Sequence, residues 1–464
     1  MAFNMARLHR STLLLFVLLL SPAIEALGQS DAPRTDLRDL YSWGDDYFIE
    51  VIVMPGESGN KSRVSVLIRL TYDLLTFRKT TVAGNTDDLY IALPSVYVEA
   101  EATDGVVADY DSWSDTVSTT EYRQTNSKQT LASGSIELAL RPGRYTITYT
   151  VDDGSPGNRF TKETLPFTVP DFGDDLPAIG TPIMLRDIAE NEIHPAAIDG
   201  NAPFGQSIKT FIPLASVEAP EHLRCEFYTV VRDEKTGSLQ EMRSVGTGIV
   251  KMPSRMAVGE FKPVRSELVA SLQREEVPEK VWGALCEFDA SELEPGEYAL
   301  EITAREGGRE KVDTQFFQLK WIDMPYSLSS TTYAIKALRP IATDDEIDRL
   351  LGVGKEKQND ALWQYWKNLD PTPETVYNER MAEYYRRVDY AFFNFATLQQ
   401  QDGVFTDRGK IYILFGPPTE TRREFDPDAN PKEIWRYDNV VKREFVFRDR
   451  NESGTYRLVE YYDL

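Results

Sequence analysis

The chain has 464 residues, and its 74 acidic and 51 basic side chains give a formal net charge of −23. A surface this negative repels nucleic acid and anionic lipid, which excludes nucleic acid as a partner. An acidic face for cations or a basic partner is one interpretation of the charge. Solubility, or adaptation to a salty medium, is the other and the one we favour. The length predicts about three domains of roughly 150 residues, each able to bury its own core.

Residues 1–28 have the pattern of a secretory signal peptide. Arg7 and Arg10 precede the apolar run 12–20. A small-residue cleavage site follows at Ala26-Leu-Gly28. The alternative is a membrane anchor, but the run falls well short of the roughly 20 residues that span a bilayer. We therefore expect the signal peptide to be cleaved and the protein to be exported, either to the periplasm or to the outside of the cell. No later segment of the sequence is apolar enough to span a membrane.

The region that follows alternates β-branched and polar residues, which is a signal for strands. Turn residues separate these short strands, and that spacing is typical of an antiparallel sandwich. The predicted strands cover residues 47–53, 63–72, 87–93, 95–100, 134–140 and 140–152.

One phrase occurs twice in the chain. Leu140-Arg-Pro-Gly-Arg-Tyr145 recurs as Leu293-Glu-Pro-Gly-Glu-Tyr298. In each copy Pro-Gly makes a turn, and the alternating strand that follows carries a tyrosine on one face. The repeat predicts two tandem immunoglobulin-like β-sandwich domains, at residues 35–171 and 176–323. Residues 172–177, rich in Gly, Pro and Asp, are the predicted hinge between them.

The chain has two cysteines, Cys225 and Cys286, and they fall inside predicted strands at residues 224–231 and 281–288. An oxidising export compartment permits a disulfide between them, which would stabilise the fold by about 4 kcal/mol in the chain-entropy model. Two separate buried thiols are the alternative, and the sequence leaves both open. No metal site is predicted, because Cys-x-x-Cys spacing is absent and only His194 and His222 remain after signal cleavage. No cofactor is predicted either.

Residues 340–464 have an α+β pattern in which the helices come first. Thr343-Asp-Asp-Glu346 matches a capping box, which predicts a short helix at 344–352. A tryptophan-bearing segment indicates a second helix, which Asp370-Pro-Thr-Pro373 ends because proline cannot extend a helix. Apolar residues at helical spacing then predict a long helix over about 374–397.

A small antiparallel meander is predicted after the helices, because the apolar period changes from 3.6 to 2. The fold class is therefore multi-domain, with two all-β sandwiches followed by a C-terminal α+β domain. The predicted strands of the meander are residues 410–415, 434–437, 443–448 and 455–461.

The stretch Asp402-Gly-Val-Phe-Thr-Asp-Arg-Gly-Lys-Ile-Tyr-Ile-Leu-Phe-Gly-Pro-Pro-Thr419 resembles the signature of the GWxTD-domain family. In that family a Gly-Trp-x-Thr-Asp turn leads into an apolar strand and a Gly-Pro-Pro stop. A tryptophan-bearing strand follows, which residues 433–437 would supply here. Val404 replaces the family tryptophan, which suggests that this position packs rather than catalyses. The resemblance covers residues 340–464 and implies no established activity.

The glycines of this motif can be explained by the backbone conformations they allow, without any catalytic role. Gly403 is expected to take positive φ, and Gly409 to let the chain reverse into the next strand. Gly416-Pro-Pro418 would stop that strand by removing hydrogen-bond donors. We assign a structural or interaction role to Gly403, Thr406, Asp407, Arg408, Gly409, Gly416, Pro417, Pro418, Trp435 and Tyr437.

The polar residues of the motif have equally simple expected roles. Thr406 and Asp407 are expected to accept backbone N–H groups, as short polar side chains do in turns. Asp407 is also a candidate ion-pair partner for Arg408, or for Arg422 and Arg423. No catalytic residue is assigned.

An envelope or extracellular hydrolase is the alternative function. Acid and base catalysis of glycan cleavage needs two carboxylates about 5–10 Å apart. The nearest candidates are Asp402, Asp407, Glu420 and Glu424. In a chain this acidic, such neighbours arise readily by chance.

Asp426-Pro-Asp-Ala-Asn430 places oxygen donors at alternate positions, as calcium loops often do. However, Pro431 occupies the place where an EF-hand loop needs glycine, and Tyr437 stands where the loop needs an acid. We therefore favour an acidic turn over a calcium site.

The aromatic residues of the predicted long helix are either core or a ligand platform. Helical spacing favours the core for Tyr384, Tyr385, Tyr390, Phe392, Phe393 and Phe395. Tyr456, Tyr461 and Tyr462 are better candidates for exposure, because the last strand is a candidate sheet edge.

Together these features predict an exported, non-enzymatic interaction or scaffold protein. Two β-sandwich modules would present the C-terminal domain to an unknown protein or glycan partner. The sequence shows no arrangement able to activate a nucleophile or hold a metal, which favours binding over catalysis.

Overall fold

A computed structural model describes residues 47–464, apart from residues 57–60, 82–87, 128–129, 156, 158, 234, 266, 323, 398, 427–428, 440 and 452. The signal peptide expected at residues 1–28 lies outside the described residues. The described part of the chain is mostly β, with 49% of its residues in strands and a few helices. Every helix in the described part is too short or too polar to cross a membrane.

The first β region spans residues 47–169 and is built from short antiparallel strands. The strands are β1 (Tyr47–Met54), β2 (Ser62–Thr71), β3 (Arg78–Thr81), β4 (Asp88–Ala92), β5 (Ser95–Ala102), β6 (Val107–Ser114), β7 (Val117–Thr119), β8 (Leu131–Leu140), β9 (Gly143–Asp152), β10 (Arg159–Glu163) and β11 (Phe167–Val169). They pair in the orders β1-β2-β8, β3-β4-β7 and β10-β9-β5-β6, with β11 also on β9.

The second β region spans residues 178–320 and forms two facing sheets. The strands are β12 (Ala178–Ile179), β13 (Ile183–Ile188), β14 (Glu192–Pro195), β15 (Ala202–Pro203), β16 (Ile208–Ala215), β17 (His222–Arg232), β18 (Leu239–Thr247), β19 (Ile249–Ser254), β20 (Ala257–Val264), β21 (Glu267–Gln273), β22 (Val281–Phe288), β23 (Gly296–Glu306) and β24 (Arg309–Lys320). One sheet has the order β19-β22-β16-β13-β14-β21-β20, with β12 also on β16, and the other has the order β15-β24-β23-β17-β18. Between the sheets, Phe227 stacks on Phe288 with ring centroids 4.3 Å apart.

The sheet β1-β2-β8 is covered on both of its faces. Side chains alternate along a strand, and Val66 of β2 accordingly packs with Val98 in the core of the first region. Its neighbour Leu67 faces the other way and packs with Phe211 of the second region. The segment predicted as a hinge also packs, because Leu176 lies in a buried cluster. The two β regions are therefore in direct apolar contact.

The two copies of the repeated phrase adopt the same local structure. The hydroxyl of Tyr145 in β9 donates to the carbonyl of Arg141 at 3.1 Å. The hydroxyl of Tyr298 in β23 donates to the carbonyl of Glu294 at 2.6 Å. Both tyrosine rings are buried, and each hydroxyl satisfies a carbonyl at the turn before its strand. The repeat in sequence is thus a repeat in structure.

The C-terminal region has helices first and a sheet after them. The elements are α1 (Thr331–Lys336), α2 (Asp344–Gly352), α3 (Lys355–Lys367), α4 (Glu379–Asn394), α5 (Asp407–Phe415), β25 (Glu420–Asp426), β26 (Ala429–Tyr437), β27 (Arg443–Arg448) and β28 (Arg457–Asp463). The strands form an antiparallel meander in the order β25-β26-β27-β28. The capping box is present, because Thr343 and Glu346 each accept the other's backbone N–H through their side chains.

Two predictions for this region need correction. The strand predicted at 410–415 is wrong, because these residues belong to helix α5. The strand β25 takes its place in the meander and was not predicted. The long helix also begins later than 374, since the side chain of Asn378 accepts the N–H of Met381 at 2.8 Å and caps α4 there.

Tyr377, in the loop before α4, packs the C-terminal region against the second β region. Its ring packs edge-on against Phe204 and Trp321, with centroids 5.5 and 5.4 Å away. Gly205 has a φ of +85°, and a Cβ there would lie 2.6 Å from the Tyr377 ring. Both the backbone angle and the close approach therefore require glycine at this contact.

Candidate interaction site around the motif

The motif forms a short 3-10 turn followed by helix α5. The turn covers Gly403–Phe405, and Asp402 opens it by accepting the N–H of Val404 at 2.9 Å. Thr406 then caps the helix, because its hydroxyl oxygen accepts the N–H of Gly409 at 3.0 Å. The same hydroxyl donates to the carbonyl of Gly403 at 2.7 Å, which ties the turn to the helix.

Two motif glycines serve close packing rather than an unusual backbone angle. A Cβ on Gly403 would lie 2.0 Å from the carbonyl oxygen of Ala391. A Cβ on Gly409 would lie 2.0 Å from the carbonyl oxygen of Gly403. The positive φ expected at Gly403 is absent, and Gly409 lies inside a helix rather than at a reversal into a strand. Helix α4, the turn and α5 thus meet backbone to backbone.

Gly416 ends helix α5 with a φ of 76° and a ψ of −159°, a backbone conformation that is essentially confined to glycine. Its N–H donates to the carbonyl of Tyr412 at 2.7 Å. Its own carbonyl accepts the hydroxyl of Tyr437 at 2.8 Å. Pro417 and Pro418 follow and cannot continue a helix. The Gly-Pro-Pro sequence therefore stops a helix and not the strand that was predicted.

Asp407 joins the start of α5 to the last strand of the sheet. Its Oδ2 atom accepts the N–H of Leu458 in β28 at 3.0 Å. As the first residue of α5, its negative charge also interacts favourably with the helix dipole. Among the described residues, the arginines predicted as its partners pair with other carboxylates instead.

Glu433 is the centre of a charged cluster beside the motif, and the sequence did not single it out. The residue is 2% exposed. It accepts the indole N–H of Trp435 at 2.8 Å and a guanidinium N–H of Arg423 at 3.0 Å. Arg408 pairs with it at 3.4 Å and lies over the ring of Tyr456, 4.7 Å from its centroid. The sequence feature that could have predicted the contact between Glu433 and Trp435 is their Glu-x-Trp spacing, which puts both side chains on one face of a strand.

The large side chains of the motif also face inward. Trp435 packs against Phe395 with centroids 5.3 Å apart, and Tyr437 packs against Phe415 at 5.8 Å. Val404, which stands where the family has tryptophan, is fully buried. The motif therefore holds the helices on the sheet through contacts within the domain.

The carboxylates considered for hydrolysis make separate contacts within the chain. The contacts are Asp402 with the Tyr333 hydroxyl (3.0 Å), Asp407 with the Leu458 amide (3.0 Å), Glu420 with Arg422 (3.7 Å) and Glu424 with Lys432 (3.9 Å). No group of three or more His, Cys, Asp or Glu side chains among the described residues is placed to hold a metal. The acidic turn at 426–430 lies partly outside the described residues.

Four aromatic side chains meet on the surface at the C-terminal end of α4. This aromatic surface consists of Tyr326, Tyr333, Phe392 and Phe393, whose neighbouring ring centroids are 5.0 to 6.4 Å apart. Tyr326 is 49% exposed and Phe393 is 52% exposed. Exposed large apolar side chains that lie together, rather than singly, are a feature of interaction surfaces.

The aromatic residues of helix α4, together with Phe395 just after it, are divided between the core and the surface. Tyr384, Tyr385 and Phe395 are buried, as expected of a core, but Tyr390 and Phe393 are about half exposed. Burial raises the pKa of the Tyr384 hydroxyl. On the edge strand β28 the exposed tyrosines are Tyr461 and Tyr462, whereas Tyr456 is half-buried.

Cys225 and Cys286 face each other across the second β region. Cys225 lies on β17 in one sheet and Cys286 on β22 in the other. Both are buried free thiols. A hydrogen bond between the two thiols, together with burial, raises the pKa of Cys225. The two sulfur atoms are therefore neighbours between the sheets.

Residues 310–464 match the family model of the GWxTD domain. The chain matches no curated protein sequence. Two solved structures are similar at very low identity. Red sea bream transglutaminase is 8% identical, and the match covers 59% of this chain and 31% of that chain with a TM-score of 0.17. The C-terminal domain of the Streptococcus agalactiae AgI/II polypeptide BspA is 9% identical, with coverage of 58% and 99% and a TM-score of 0.14. Similarity this low assigns neither an activity nor a ligand.

Proposed function

For a chain that carries a GWxTD domain over residues 310–464, we propose the role of an exported, non-enzymatic interaction or scaffold protein. Its partner binds at the aromatic surface of Tyr326, Tyr333, Phe392 and Phe393. The N-terminal signal pattern at residues 1–28 supports export to the periplasm or the outside of the cell.

The observation that carries this proposal is the contrast between the motif and the aromatic surface. The polar side chains Thr406, Asp407 and Arg408 are engaged within the domain. Tyr326 and Phe393, by contrast, offer about half of their area to solvent. Aromatic side chains are enriched at interfaces because they bury much area at little entropic cost.

We assign the β regions to two immunoglobulin-like sandwich domains, at residues 35–171 and 176–323. The two tyrosine hydroxyls that bond back to the chain four residues earlier support this assignment. Cysteines on facing sheets support it for the second domain. A function inferred from such modules rests on analogy, and we propose that the two sandwich domains position the C-terminal domain. Tyr377 connects the C-terminal domain to the second sandwich by packing on Phe204 and Trp321.

The hydrolase alternative gains no support from the site geometry. Asp402 and Asp407 each accept a backbone N–H, from Val404 and Leu458 respectively. Such contacts use the carboxylates to hold the chain in place.

Site-specific photo-crosslinking tests the proposal. A photoreactive amino acid replaces Phe393 in the full chain, expressed in its own cells. The control replaces Tyr110, which is 63% exposed on β6 in the first β region. We expect a discrete crosslinked partner from position 393 and none from position 110. Equal labelling from both positions, or none from position 393, would overturn the proposal.

A further inference from the structure

Glu50 lies buried at the interface between the sheet β1-β2-β8 and the second β region. The residue is 5% exposed. Among the described residues, neither carboxylate oxygen has a partner in good hydrogen-bonding geometry, although the backbone of Gly200 and Ile198 lies beside it. A buried carboxylate without full partners is costly when it is charged.

The loop 196–201 of the second β region closes over Glu50. Asp199 accepts the N–H of Ile49, the neighbour of Glu50, at 2.9 Å. Arg69 on β2 donates to the carbonyl of Ala196 at 2.6 Å. Ala197 and Asp199 have φ values of 51° and 58°, angles that are uncommon outside glycine and rarer for alanine than for aspartate. The loop therefore depends on its contacts with β1 and β2.

The charges that face Glu50 do not neutralise it. Asp199 opposes its ionisation, and Arg69 favours it more weakly. Arg69 itself faces Arg186 of β13 and Glu267 of β21. His194 of β14 lies 3.9 Å from Glu267. Glu267 and Arg186 form an ion pair with each other and not with Glu50.

The other end of the same interface is held by hydrogen bonds to backbone groups. The N–H of Val53 donates to the hydroxyl of Thr181 at 3.0 Å, and the N–H of Thr181 donates to the carbonyl of Val53 at 2.8 Å. Arg63 also donates to the carbonyl of Val258 at 2.6 Å. The interface thus has one end at the buried Glu50 and another end where Val53 and Thr181 pair through hydrogen bonds.

We propose that the Glu50 end of this interface is a proton-controlled joint. With Glu50 protonated, β1 and the loop 196–201 are closed on each other. When Glu50 ionises, that end opens while the Val53–Thr181 end stays paired.

The direction of the pH dependence follows from the pKa. Burial is the main cause that raises the pKa of Glu50 from 4.5 to about 7. A raised pKa means that the closed state keeps its full stability below pH 4.5 and loses it as the pH rises through about 7. A shift of this size changes the opening equilibrium by up to roughly 300-fold.

Hydrogen–deuterium exchange of the full chain from pH 5 to pH 9, corrected for intrinsic exchange, tests the joint. We expect the amides of residues 47–50 and 196–201 to lose protection as the pH passes about 7. Val53 and Thr181 should keep theirs. Glu50→Gln should remove the pH dependence. The matched control Glu137→Gln, on β8 beside Arg63, should retain it.

Two results would overturn the proposal. One is protection of residues 196–201 that does not change with pH in the wild type, and the other is an unchanged pH dependence in Glu50→Gln. If Glu50→Gln does not fold, carbon NMR of the wild-type chain with labelled glutamate carboxyls decides. A glutamate that titrates near 7, together with the loss of protection, supports the joint. The absence of any such glutamate contradicts it.

Discussion

Asp407 accepts a hydrogen bond from the backbone N–H of Leu458, 51 residues further along the chain. This contact links the first turn of helix α5 to the edge strand β28. The most recognisable acidic residue of the motif is therefore bonded to the domain's own backbone. The relationship gives the motif a structural role that can be separated from binding.

Asp407→Ala should lower the free energy of unfolding by about 1–2 kcal/mol, because an acceptor and a favourable helix-dipole charge are both lost. Asp407→Asn is the matched control, since it keeps an oxygen acceptor and should lose only about 0.5 kcal/mol. Urea unfolding followed by circular dichroism measures both. Equal stability of Asp407→Ala and the wild type would contradict the assigned role.

Glu433→Gln should destabilise the chain by about 3 kcal/mol, because it leaves the buried Arg408 without its countercharge. The side chains of Glu433 and Arg408 are 3% and 11% exposed. Glu444→Gln is the comparison, because Glu444 pairs with the exposed Arg422 and such pairs contribute about 0–1 kcal/mol. Chemical unfolding of the two variants tests this ranking. A smaller effect for Glu433→Gln than for Glu444→Gln would be inconsistent with the buried cluster.

Gly409→Ala should cost at least about 3 kcal/mol, since the added Cβ would meet the carbonyl oxygen of Gly403. Gly352→Ala is the control. A Cβ at Gly352, the last residue of α2, meets nothing within 4 Å. It should leave the stability unchanged or raise it by up to about 1 kcal/mol. Thermal melts decide, and equal melting temperatures would argue against the backbone contact.

The neighbouring thiols of Cys225 and Cys286 should form a disulfide when the chain is exported to an oxidising compartment. Denatured but unreduced protein should then show no alkylatable thiol and a mass lower by one pair of hydrogens. Protein made in a reducing cytosol should show both thiols. Two thiols in the exported protein would exclude the bridge.

Local sequence signals predicted several elements of the fold well. The helix at 344–352 and the strand at 443–448 have the predicted bounds, because a capping box and a period of two are both short-range patterns. The repeated Pro-Gly-x-Tyr phrase likewise predicted matching turns, at Tyr145 and Tyr298.

The motif helix was missed because a short apolar run fits a strand or a buried helix equally well. Residues 410–415 are rich in β-branched and aromatic side chains, which favours a strand. The deciding signals were Thr406 as an N-cap and Gly416 as the residue after the helix, and both were assigned to loops instead.

The charged cluster could not be predicted for a different reason. Glu433 meets Arg408 across 25 residues of chain, and this contact depends on how α5 packs on the sheet. A single sequence carries no signal for that packing. The burial of a charged residue in a strand becomes visible only once the tertiary contacts are known.

The role of the aromatic surface is tested by comparing the affinity of the crosslinked partner for two variants of the full chain, Phe393→Ser and Asp407→Ala. Both are measured at a temperature where circular dichroism shows them folded. We predict that Phe393→Ser loses the partner at an unchanged melting temperature, whereas Asp407→Ala melts earlier but binds as the wild type does. Loss of binding in Asp407→Ala with retention in Phe393→Ser would overturn the assignment of the aromatic surface and make the motif itself the binding surface.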